Sequence, residues 1–145
     1  MGYKTLQDPQ FAGLANYDPR ALFAQLPTPA YVIDEERLRK NGEVLAALAE
    51  RTGCRVLLAQ KAFSNYDFYP LLSRYLAGTE ASGLYEARLG WEEFGGETHV
   101  YSPAYREEEF QELLGYADHI SFNSLTQVRK YAKRARQAGK SVFFK

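Results

Sequence analysis

The chain has 145 residues and is 46% hydrophobic, enough for one ordinary domain with a core of its own and well short of the roughly 250 residues of a complete eight-stranded α/β barrel. Eighteen basic residues balance eighteen acidic ones, so no global field draws the protein to nucleic acid or an anionic membrane, and small molecules are the expected partners. The single cysteine, Cys54, excludes an internal disulfide framework; no long apolar run marks a membrane span or secretion signal, and the cytoplasm is the expected compartment.

Residues 1–26 read as an irregular arm, because two Asp-Pro steps disfavour helix before each proline. Met1-Gly2 begins like a myristoylation signal, but Leu6 stands where that motif wants Ser or Thr. Pro27 and Pro29 lead into Ala30-Tyr31-Val32-Ile33, a short β-prone run ending at Asp34. Glu35 to Arg51 reads as a helix, with Leu38, Val44, Leu45 and Leu48 sharing an apolar face and Thr52-Gly53 ending it. The run from Arg55 to Ala59 has the character of a parallel strand buried on both faces. A helical stretch follows from Asp67 to Leu76, then a short segment over Gly78 to Gly83, then a helix from Leu84 to Phe94 stopped by Gly95-Gly96. Thr98 to Ser102 is a predicted strand, Arg106 to Tyr116 a helix, His119 to Phe122 a strand and Leu125 to Ala138 a helix ended by Gly139. Ser141 to Phe144 opens one more strand.

Strand and helix alternate, which requires crossovers and hence a parallel sheet. Polar residues close successive strands at Lys61, Ser82, Ser102, Asn123 and Lys145, with spacings of 21, 20, 21 and 22 positions. A near-constant period means equal βα units added around a ring, whereas a doubly wound sheet breaks its period where the strand order reverses. The expected fold is therefore α/β, a series of βα units from a partial (β/α)8 TIM-type barrel. In either architecture ligands bind at the carboxyl ends of the strands.

At that edge Lys61 is a candidate nucleophilic amine. It follows an apolar strand and precedes Ala62-Phe63, and desolvation there favours the neutral form that attacks an aldehyde; the bland alternative is a lysine snorkelling to water. Ser82 and Asn123 carry a hydroxyl and an amide to equivalent strand ends, where they could hydrogen-bond a polar cofactor or substrate. Ser124, with Gln127 three residues on, reads as a helix cap. His99 and His119 are expected at the opposite, N-terminal edge, away from catalysis, and with no cysteine nearby no metal site is expected. Glu92-Glu93 and Glu107-Glu108-Glu109 suit helix first turns or a solvated face. Arg129, Lys130, Lys133, Arg134, Arg136 and Lys140 suit a solvated helix face rather than a nucleic-acid patch. No dinucleotide, P-loop or nucleophile-elbow motif is present.

Several consecutive stretches, in order, resemble a known family. These are Thr28-Pro29-Ala30-Tyr31-Val32-Ile33-Asp34, LLAQKAF around Lys61, EASGLYEARLGWEEFGGETHVYSPAY from Glu80 to Tyr105, and YADHISFNS from Tyr116 to Ser124. Together they look like carboxynorspermidine decarboxylase, over roughly Pro27 to Val142. That family is similar to alanine racemase, ornithine decarboxylase and diaminopimelate decarboxylase, which pair a barrel with a C-terminal β domain and act as homodimers. The resemblance implies pyridoxal 5'-phosphate as cofactor, held by Lys61, with Ser82 and, more weakly, Asn123 beside it. It further implies decarboxylation of carboxynorspermidine or carboxyspermidine to norspermidine or spermidine, in polyamine biosynthesis. Residues 27–145 would then be the N-terminal part of the barrel, truncated before it closes and inactive alone. The phosphate loop and the acid facing the pyridine nitrogen would lie after residue 145. Phe143-Phe144-Lys145 departs from the family's Gly-Leu-Arg-like strand and would fit a frameshifted or artificial ending. A non-catalytic cofactor carrier of the same barrel family, or a related decarboxylase or racemase, is the alternative.

Overall fold

The computed structural model describes Arg20 and residues 23–145; of the expected arm, residues 1–19, 21 and 22 lie outside the described residues. The chain divides into two units, residues 1–34 and 35–145. In the first, no strand forms over Ala30 to Ile33. Tyr31 and Val32 are exposed there, and a β-prone run with no ladder to join has no reason to stay extended as a strand.

The second unit alternates helix and strand throughout. Helix α1 (Glu35–Thr52) buries a stripe through Leu38, Gly42 and Leu45, at helical i, i+4, i+7 spacing. Val44 and Leu48, expected on that face, are exposed instead. Gly42 is what lets the helix settle, since a Cβ there would meet the Tyr75 ring at 2.6 Å. Strand β1 (Leu57–Ala59) leads to a single 3-10 turn, Tyr66–Phe68, and the short α2 (Tyr69–Leu72), where one helix from Asp67 to Leu76 was expected. Strand β2 (Gly78–Ala81) is followed by α3 (Leu84–Leu89).

The helix expected to run on to Phe94 changes character at Gly90 and continues as a π turn, Gly90–Phe94. The turn closes with the Gly95 N–H donating to the Gly90 carbonyl at 3.2 Å. A Cβ on Gly90 would stand 2.2 Å from Thr79 Oγ1, so the glycine allows this turn to lie directly on β2. Gly95 and Gly96, at φ 71° and 76°, reverse the chain into β3 (Glu97–Tyr101) in a conformation open to glycine. Then come α4 (Glu107–Tyr116), β4 (His119–Phe122), α5 (Leu125–Gln137) and β5 (Ser141–Phe144), within a residue or so of the sequence reading.

All five strands pair in parallel in the order β1-β2-β3-β4-β5. Each new strand adds on the same side of the last, which is how a barrel wall grows; a doubly wound sheet would reverse. One face is packed by the helices. Its strand residues Thr79, Ala81, Thr98, Val100, Ile120 and Phe122 are buried, and Phe110, Tyr131 and Phe122 form an aromatic core with Tyr105. The alternate residues Glu80, Glu97, His99, Tyr101, His119 and Ser121 are half-buried on the other face, as the period of two requires. β1 is accordingly half-buried rather than covered on both sides, because among the described residues helices cover only one face.

Candidate functional site

Parallel strands bring their carboxyl ends to one edge, and the register fixes which residues meet there. Ala59 of β1 pairs with Glu80 of β2, so Lys61, in the turn after β1, rises beside the end of β2. Its Nζ lies 3.9 Å from Glu80 Oε2. The desolvated apolar setting expected for this amine is absent in the chain: its side chain is 64% exposed. Glu80 escaped the sequence reading, although strand alternation back from Ser82 puts it on the same face.

Gln60 anchors the turn that carries Lys61. It is 1% exposed, its Nε2 donates to the Glu86 carbonyl at 2.7 Å, and its Oε1 accepts from the Tyr69 hydroxyl at 3.1 Å. Burial, with the nearby Glu86 charge adding to it, pushes the Tyr69 phenol up to about 12, so it stays a donor. Glu86 then takes the Ser82 backbone N–H on its own Oε2 at 2.5 Å. The turns holding Lys61 and Ser82 are thus tied to the same residue of α3. Ser82 is half-buried and its hydroxyl does not cap α3, whose N-cap is Gly83.

Asn123 sits exposed at the end of β4, its N–H accepted by Gln127 Oε1 at 3.2 Å. Ser124 caps α5 as expected, its hydroxyl accepting the Gln127 N–H at 3.2 Å. Ser102, at the end of β3, is buried and spends its hydroxyl on the Ala104 carbonyl at 3.1 Å. Tyr105 locks the β3 and β4 ends together. Its phenolic oxygen lies 2.8 Å from the Ser121 carbonyl and 3.2 Å from that of Val100, and accepts the Ser102 N–H at 3.2 Å. Burial pushes its titration well above the ordinary phenol range. Lys145 Nζ stands 4.6 Å over the Tyr101 ring, which puts a cation beside the last strand end.

The ends of the neighbouring strands β1 and β2 therefore bring together a primary amine, a carboxylate and a hydroxyl, with an amide at the end of β4, beyond β3. The cleft among Gly83, Ser102, Tyr105 and Phe110 measures about 20 Å³, room for a water and little more.

The histidines fall differently from the sequence reading. His119 opens β4 at the N-terminal edge, as expected, but His99 is the central residue of β3 and pairs with it. The two rings stack at 4.1 Å beside Glu97. The acidic and basic runs are surface features as read: Glu107 pairs with Lys130 and Arg134 across α4 and α5.

No family model matches the chain. Residue by residue it is 41% identical over 110 residues to the carboxynorspermidine/carboxyspermidine decarboxylase of Herminiimonas arsenicoxydans, covering 76% of this chain and 30% of that protein. A crystal structure of carboxynorspermidine decarboxylase from Campylobacter jejuni, complexed with norspermidine, superposes with a TM-score of 0.77 at 40% identity, over 81% of this chain and 31% of the other. This chain is a homologue of carboxynorspermidine decarboxylase. It is also 43% identical over 108 residues to the carboxyaminopropylagmatine decarboxylase of a Synechocystis strain, covering 74% of this chain and 28% of that protein. The chain spans about 30% of the length of these curated decarboxylases. No helix among the described residues is long and apolar enough to cross a membrane.

Proposed function

We propose that residues 27–145 are part of the cofactor-binding barrel of a pyridoxal-phosphate-dependent decarboxylase acting on carboxynorspermidine and carboxyspermidine. The reading is carried by one observation: a lysine closes β1, 3.9 Å from a carboxylate, in a segment about 40% identical to carboxynorspermidine decarboxylases. The residues present fit the cofactor, since its aldehyde asks for an accessible primary amine and its polar ring substituents for hydrogen-bonding groups at the strand ends. Lys61 would hold it. Glu80 would hold a proton against Nζ, and Ser82 and Asn123 would hydrogen-bond from the β2 and β4 ends. Bound pyridoxal phosphate would supply the electron sink that lets the substrate carboxylate leave as carbon dioxide. A proton then takes the carboxylate's place on the same carbon.

The phosphate site, the group facing the ring nitrogen and the substrate's distal-amine contacts would come from the rest of a longer, cytoplasmic, homodimeric enzyme. The chain alone would then be inactive. The 43% identity to a carboxyaminopropylagmatine decarboxylase supports a second substrate, with a guanidino group in place of the terminal amine and the same chemistry at the carboxylate. Carbon dioxide release from each of the three substrates by the longest open reading frame containing this segment decides among them. Release from carboxynorspermidine, abolished by Lys61→Ala, is the expected result; bound cofactor with no release from any would indicate a carrier instead.

A further inference from the structure

The half-buried face of the sheet carries a second cluster, one strand over from Glu80, whose register partner on β3 is His99. Glu97 and His99 stand two residues apart on β3 and so point the same way, and His119 is the register partner of His99 on β4. His99 Nε2 lies 3.1 Å from Glu97 Oε2 and His119 Nε2 lies 3.8 Å from Glu97 Oε1. The imidazoles stack with centroids 4.1 Å apart and planes 27° from parallel. One ligand atom from each of the three residues falls within 4.8 Å of the others.

One ring nitrogen of this cluster is unpartnered. His119 Nδ1 is buried with no hydrogen-bond partner among the described residues, so nothing on that side of the ring fixes its orientation or proton. The side chains are 24–29% exposed, sheltered yet reachable by an ion.

We propose that Glu97, His99 and His119 bind one zinc-class divalent cation, with water as the fourth ligand. Two imidazoles and a carboxylate are a recurring zinc set, and bonds of about 2.0–2.1 Å in a tetrahedron put ligand atoms roughly 3.3 Å apart. The observed separations bracket that value, so side-chain movement on the order of 1 Å closes the site. A bound cation would clamp β3 to β4. Arg55 is the built-in competitor: its Nε lies 3.0 Å from the same Glu97 Oε2, and its side chain is 62% exposed. Removing it frees the oxygen and a positive charge together.

The sequence contains two histidines and one cysteine, which makes the test clean. The untagged full chain with Cys54→Ser is titrated calorimetrically with zinc chloride, and with cobalt chloride while the visible spectrum of a tetrahedral ion is followed. One zinc per chain is expected, weakened at least about tenfold by His99→Gln or His119→Gln at unchanged circular dichroism. Arg55→Gln, outside the ligand set, is expected to bind several-fold more tightly, and decides the matter if the histidine variants do not fold. No zinc binding, equal binding by folded histidine variants, or no gain in Arg55→Gln would each overturn the proposal.

Discussion

Glu80 Oε2 stands 3.9 Å from Lys61 Nζ, and the two residues belong to neighbouring strands joined by the Gln60 N–H bonded to the Glu80 carbonyl at 3.1 Å. The acid is therefore placed by the same ladder that places the amine. In the full-length decarboxylase proposed above, Glu80→Gln keeps the shape and removes the charge. The expected outcome is a fall in kcat on the order of 10²-fold, typical for loss of a positioned proton carrier, with a changed pH profile and cofactor still bound. Steady-state kinetics across pH, together with cofactor absorbance, checks it; an unchanged profile would mean that Glu80 is a bystander.

Tyr105 is the pin between the β3 and β4 ends. Tyr105→Phe leaves the Ser102 N–H and the Ser121 carbonyl without their phenolic partner. Stranding such groups costs about 1–3 kcal/mol, to be read as a lower urea midpoint at unchanged slope.

Gly78 tests the register itself. A Cβ there would lie 1.9 Å from the Glu97 carbonyl oxygen, which is backbone and cannot step aside. Gly78→Ala is expected to cost about 3 kcal/mol or more, whereas at Gly83 an added Cβ meets nothing within 4 Å. Urea unfolding of Gly78→Ala and Gly83→Ala side by side checks the contrast.

The acidic run has a pH signature. Hydrogen bonds from Lys130, then Arg134, lower the Glu107 carboxyl below its ordinary range. A depressed acid stabilises the fold above the unfolded value of about 4.3, and that contribution disappears as pH falls through the lower, folded value. Glu107→Gln should therefore melt lower than wild type at neutral pH and converge with it in acid. The pair is solvent-exposed, so the difference should also shrink in about 1 M salt.

The fold was readable wherever a local rule had no competitor. Alternation over His119 to Phe122 and the glycine after Ala138 mark β4 and the end of α5 without any tertiary information, and the even spacing of Lys61, Ser82 and Asn123 follows from equal βα units. The failures are tertiary. Ala30 to Ile33 has strand composition but forms no strand. The helix expected through Phe94 turns into a π turn at Gly90, because the packing against Thr79 sets that geometry. Val44 and Leu48 fit an apolar face that the bundle does not use. In the site, Lys61 was legible from its place after an apolar strand and from the motifs around it. Glu80, Gln60 and Tyr105 act through register and hydrogen bonds between elements, and the stacking of His99 on His119 depends on which residues β3 and β4 set opposite each other.

The proposed anchor of pyridoxal phosphate is Lys61. It is tested most directly by incubating the protein with the cofactor, reducing with borohydride and mapping the modified peptide by mass spectrometry. One pyridoxyl group is expected on the peptide containing Lys61, absent from Lys61→Ala. Labelling spread over other lysines, or undiminished in Lys61→Ala, would contradict it.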